Sequence, residues 1–119
     1  MAAQANHRVA VYIPSTMNGN EPAPDRVIDQ WVRTAKTTFA NLFGGFTAYR
    51  GVGGWVSPVH GLVEEPVTVV TSFTDDDGLG LVGEVEELAA NLAEALGQEA
   101  VAVEVDNRLL FVGPACVAA

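Results

Sequence analysis

Residues 66–73 read PVTVVTSF. β-branched side chains are stiff at χ1 and pack well on a pleated surface, so a run this rich in valine and threonine predicts a strand. Its two faces would carry Val67, Val69 and Thr71, or Thr68, Val70 and Ser72, and neither set is charged. On its C-terminal side stands Asp75-Asp76-Asp77-Gly78, a turn and a helix start. On its N-terminal side lies YRGVGGWVSPVHGLVEE, residues 49–65, which places four glycines, a tryptophan, a histidine and two adjacent glutamates in one short stretch.

Further upstream, residues 46–49 resume a strand pattern, so the glycine-rich stretch sits between two strands. It is too glycine-rich for a comfortable helix or strand, and the unit is expected to be a long hairpin or a hairpin with a projecting loop. Before it, residues 24–43 repeat apolar side chains at helical spacing: Ile28, Trp31, Ala35, Phe39 and Leu42, widened by Val27, Val32 and Phe43. Pro24 suits the first helical position, and Gly44-Gly45 supplies the stop. Residues 8–14, RVAVYIP, alternate as a strand with Val9, Val11 and Ile13 opposite Ala10 and Tyr12. The connection STMNGNEPAP, rich in turn formers, is expected to be exposed and without structure of its own.

Downstream, residues 81–96 form a second amphipathic helix with Val85, Leu88, Ala89, Leu92 and Leu96 inward, Asp76 or Asp77 as its cap and Gly97 as its end. Residues 100–105 and 108–112 are two short strands around Asp106-Asn107, side chains that tolerate positive φ. The tail PACVAA is expected to be loose or an edge contact.

The order β, α, β, β, α, β with a short extra strand predicts an α+β chain, one domain over residues 1–119. Its expected form is the ferredoxin-like split βαβ plait, an antiparallel sheet with both helices on one face. The other face stays bare and half-apolar, which predicts a homo-oligomer, dimer or trimer, packed sheet on sheet or edge on edge.

At 119 residues the chain is long enough to bury roughly two thirds of its unfolded surface. No apolar run approaches the ~18 residues of a membrane span, and the N-terminus carries no apolar leader, so a soluble, cytoplasmic protein without membrane partners is expected. Cys116 is the only cysteine, which excludes an internal disulfide and a cysteine-rich zinc site. Six basic against 15 acidic residues give a net charge of −9, and the basic ones are scattered, so nucleic acid is a poor partner.

The densest polar chemistry is His60 with Glu64 and Glu65, a candidate acid–base pair. Arg50, Trp55 and His60, together with Tyr12 on the sheet, are the candidate binding residues. No metal-ligand spacing, P-loop or nucleophile elbow is present, so neither metal nor cofactor is expected. The aspartate triplet lacks the rest of a calcium loop and reads as helix capping.

Trp55 followed by Gly61, then Glu64 or Glu65 ahead of VTVVTSF and a second amphipathic helix, resembles CutA-like and PII-like small trimeric proteins and bacterial plait domains. The resemblance covers residues 46–96. It implies a compact oligomer with ligand clefts between subunits and a protruding hairpin loop anchored by Trp55. Nucleotide binding of the PII kind would need converging basic residues, which this chain lacks.

The function expected is a non-catalytic oligomeric binding or regulatory domain, whose partner is a second copy, another protein or a small molecule. Two alternatives stand beside it. One is a small dimeric α+β-barrel-type enzyme using His60 with Glu64 or Glu65; the other is an acidic, mobile-element-encoded inhibitor of a basic protein.

Overall fold

The computed structural model describes residues 3–115, so Cys116 and the rest of the tail lie outside the described residues. The elements are β1 (His7–Pro14), β2 (Thr16–Met17), β3 (Glu21–Pro22), α1 (Asp25–Phe43), β4 (Thr47–Ser57), β5 (Gly61–Thr74), α2 (Asp76–Leu79), α3 (Val82–Ala95), β6 (Val101–Val105) and β7 (Arg108–Val112). Five strands form one sheet in the order β4-β5-β1-β6-β7, and every neighbouring pair is antiparallel. The chain is thus α+β, as its pattern predicts.

Both long helices pack on the face of β1 that carries Val9, Val11 and Ile13. Those residues join Val70, Val101 and Val103 of the neighbouring strands, Phe39 of α1, and Val85, Leu88, Leu92 and Leu96 of α3 and its cap in one buried core. Trp31 packs at the margin of this core rather than standing free. Pro24 lies one residue before its expected place, at the N-cap with φ −57° and ψ 137°. Gly44 closes α1 in the left-handed region at φ 86°, its N–H donating to the Ala40 carbonyl, a conformation that costs glycine little.

Two expectations change, and one is narrowed. Of the two forms expected around the glycine-rich stretch the chain takes the long hairpin, without a projecting loop: β4 runs unbroken from Thr47 to Ser57, paired from Thr47 opposite Thr71 to Ser57 opposite Gly61. Close approach explains two of its glycines, since a Cβ on Gly53 would lie 3.0 Å from Val67 Cγ2 and one on Gly54 3.1 Å from the Val63 carbonyl, whereas one on Gly51 would meet nothing within 4 Å. The 15–24 connection carries a small ribbon, β2 with β3, turning through Asn18 at φ 50° and Gly19 at φ 93°. The cap in the aspartate triplet is Asp75, whose Oδ1 accepts from the Gly78 N–H at 2.9 Å and starts the short helix α2, with α3 following separately.

The β6–β7 connection is Asp106-Asn107 with both φ values positive, 49° and 66°, the twist-matching type of two-residue hairpin turn. No helix among the described residues is long and apolar enough to cross a membrane.

Candidate functional site

Pairing brings the glutamates opposite the glycines. Gly53 faces Glu65 and Gly54 faces Glu64 across the hairpin, and with no side chains on the glycine side, space opens above the carboxylates. Two depressions of about 550 and 290 Å³ lie at this part of the hairpin. Glu64, Glu65, Thr16 and Asn20 border both; Arg50 and Asp29 line the larger, and Trp55 lines the smaller. Successive strand side chains alternate between faces, so of the residues singled out from the sequence Arg50 and Glu64 project from one face of the hairpin and Trp55 and Glu65 from the other; the larger depression lies beside the start of α1, and the β2–β3 ribbon borders both.

Glu65 is half-buried, and its Oε2 accepts from the Thr16 hydroxyl at 2.9 Å, with the Ser15 hydroxyl farther off at 3.5 Å. Glu64 is exposed. The larger depression thus offers carboxylates and one guanidinium, and the smaller carboxylates and an aromatic ring, chemistry suited to a cationic centre and, at Arg50, to an anionic end.

His60 does not join them. It lies exposed in the turn between β4 and β5, where its backbone N–H donates to Ser57 Oγ, and three strand residues, ~10 Å at 3.3 Å per residue, separate Gly61 from Glu64. Tyr12 lies elsewhere too, on the helix-free face of the sheet. Its hydroxyl donates to Glu104 Oε1 at 2.5 Å, and Arg8 reaches Glu104 Oε2 through Nε at 3.3 Å and the Tyr49 hydroxyl at 3.2 Å. The hydrogen bond to a carboxylate, aided by burial, raises the Tyr12 phenol above its ordinary value. The bare face is therefore not free of charge: a polar network crosses its middle, flanked by Phe73, Leu109 and Phe111, which are exposed.

At one end of β1, His7 sits between two carboxylates, Nε2 at 2.6 Å from Asp76 and Nδ1 at 2.6 Å from Asp106. Both ring nitrogens donate only in the imidazolium form, and the Asp76 bond, then the Asp106 bond, raise the pKa of His7. Asp106 is held low by the Arg8 backbone N–H and by His7. Among the described residues no group of three or more His, Cys, Asp or Glu side chains is arranged to hold a metal ion.

Sequence reasoning missed Thr16, Asn20 and Gln98. The Asn-Gly turn was the available signal for the first two, because it marks a ribbon that must fold back on something. Gln98 gave none.

No protein-family model matches the sequence, and no curated protein matches it. Among solved structures, a phage SAM lyase in its apo state is similar over 99% of this chain and 99% of its own, with TM-score 0.67 and 15% identity. A phage SAM lyase in complex with S-methyl-5'-thioadenosine is similar over 99% and 97%, with TM-score 0.61 and 13% identity. These likenesses show a shared fold. Against the expectation of a non-catalytic binding or regulatory protein they set an architecture whose matched proteins, over nearly the whole chain, are enzymes.

Proposed function

We propose that the chain is an enzyme that cleaves S-adenosylmethionine between sulfur and the aminobutyrate carbon, releasing methylthioadenosine. The observation that carries this reading is the pair of depressions at the hairpin, one lined by Arg50 with Glu64 and Glu65 and the other by Trp55 with the same glutamates, on a fold whose solved likenesses are phage SAM lyases. A sulfonium cation is stabilised by carboxylates and by an aromatic face; Glu64, Glu65 and Trp55 provide both, and the net charge of −9 favours a cationic substrate. Arg50 is the complement for the substrate's carboxylate.

As a lyase the reaction takes up no water. The Cγ–S bond breaks with its electron pair going to sulfur, and the four-carbon fragment closes on its own carboxylate oxygen as a lactone, or gives up a Cβ proton to a base and leaves as an alkene. The first route moves no proton, so the protein's task is to orient the substrate's carboxylate behind Cγ and to exclude water. The strand order β4-β5-β1-β6 with both helices on one face supports the ferredoxin-like plait, with β7 added at the edge. Exposed Phe73 and Phe111 on the helix-free face, 60% and 74% accessible, support assembly of several copies through that face.

The test is incubation of the protein with S-adenosylmethionine, followed by mass spectrometry of the products. Methylthioadenosine and a lactone or alkene fragment are expected, with kcat/KM lowered roughly 10- to 100-fold by Arg50→Met or Glu65→Gln. Intact substrate after prolonged incubation, with no binding of methylthioadenosine, refutes the reading.

A further inference from the structure

Glu65 is held by a chain of hydrogen bonds whose far end is the C-terminus of α3. That helix ends in paired closing bonds, the Gly97 N–H to the Glu94 carbonyl at 3.2 Å and the Gln98 N–H to the Ala93 carbonyl at 2.8 Å, with Gly97 at φ 61°. This is the closure that a glycine just past a helix permits, and it fixes the backbone of Gln98. The Gln98 amide then spends both its protons on Thr16: Nε2 donates to the Thr16 carbonyl at 2.8 Å and to Thr16 Oγ1 at 3.1 Å. The Asn18 N–H adds a bond to the Leu96 carbonyl at 2.8 Å, tying the same ribbon to the same helix end.

A hydroxyl has one proton. With an amide N–H pointed at Thr16 Oγ1, that oxygen is the acceptor on the Gln98 side, and its own proton is directed to Glu65 Oε2 at 2.9 Å. One carboxylate oxygen is thereby fixed, and the other is left to the cleft. We infer that Thr16 is a positioning residue for Glu65 and that Gln98 sets the direction of the Thr16 hydroxyl. The inference rests on the proposed reading only in taking Glu65 to face the substrate.

The experiment compares Thr16→Val, Thr16→Ser and Gln98→Leu with the unaltered protein. Steady-state cleavage of S-adenosylmethionine is the first readout, and the Glu65 side-chain rotamer populations, from NMR three-bond couplings, are the second. Thr16→Val keeps the shape and removes the donor; a hydrogen bond to a charged group makes the expected fall in kcat about 10-fold, with KM changed less than about 3-fold. Thr16→Ser restores kcat, and Gln98→Leu falls between. The couplings show one dominant Glu65 rotamer in the unaltered protein and in Thr16→Ser, and averaging in Thr16→Val. Should the unaltered protein prove inert toward S-adenosylmethionine, the proposed function fails while the couplings still decide the relay. Glu65 averaging in the unaltered protein, or a Thr16→Ser variant as impaired as Thr16→Val, overturns it.

Discussion

Gly78 sits in the short helix α2, and a Cβ added there would lie 1.7 Å from Thr74 Oγ1 and 2.8 Å from Thr74 Cβ. The first contact must lengthen to about 3.0 Å before it resembles any real one. Thr74 ends β5 and is buried at 7% accessibility, and turning its side chain about χ1 moves the oxygen but leaves the 2.8 Å contact with Cβ in place. The Gly78→Ala variant therefore displaces α2 and loosens the Asp75 cap. Overpacking costs roughly 1–3 kcal/mol. The helical preference of alanine over glycine returns about 1 kcal/mol at most, and loss of the cap adds about 1 kcal/mol. The net loss is about 1–3 kcal/mol, a fall in Tm on the order of 4–12 °C for a chain of this size. Thermal unfolding followed by circular dichroism measures it. A Thr74→Ser background, whose hydroxyl is free to turn away, should recover at least half of the loss. An alanine variant as stable as the parent, or a loss that Thr74→Ser leaves untouched, would refute the steric reasoning.

The His7 clamp makes stability depend on pH. Because its partners raise the folded pKa of His7 above the ordinary 6.5, that contribution is complete below 6.5 and is lost as pH rises through the raised value. Asp106, lowered from 3.8, contributes fully above 3.8 and loses its contribution as pH falls through its lowered value. Tm measured across pH is thus expected to have a plateau between the two, and His7→Gln to remove the alkaline decline; an unchanged alkaline limb would count against the clamp. Phe39→Ala, at a fully buried position edge-to-face with Phe43 at 5.5 Å, is expected to cost about 3–5 kcal/mol in urea unfolding, and a cost below about 1 kcal/mol would mean that α1 does not anchor the core. Glu104→Gln is expected to bring the Tyr12 phenol back toward its ordinary 10.0 in a spectrophotometric titration, and a phenol that titrates as before would remove Glu104 as the cause.

What could be read beforehand was whatever neighbours in sequence dictate to one another. The stripe from Ile28 to Leu42 gave α1 because 3.6-residue periodicity survives any tertiary context, and Asp106-Asn107 gave its turn because both side chains accept positive φ. Residues 50–57 misled because glycine's weak strand preference is a statement about an isolated segment, whereas β5 supplies a complete row of partners. Arg50, Trp55, Glu64 and Glu65 were legible as residues of one hairpin, which divides them between its two faces. Thr16 and Gln98 were not, Thr16 lying 49 residues from Glu65 and 82 residues from Gln98 along the chain; only the packing of the ribbon on the end of α3 unites them. The placing of His60 with Glu64 failed on a simple point, that extended chain carries residues apart faster than a helix does.

The turn beyond β4 has a consequence of its own. Ser57 is buried at the root of that turn, and its Oγ accepts the Val59 and His60 N–H groups, each at 3.1 Å, while Val56, Val59 and Leu62 around it stand 74%, 82% and 67% accessible. The far end of the arm is thus a greasy knob on a stiffened stalk, set in shape before anything touches it. Burying that knob would cost the arm little conformational freedom.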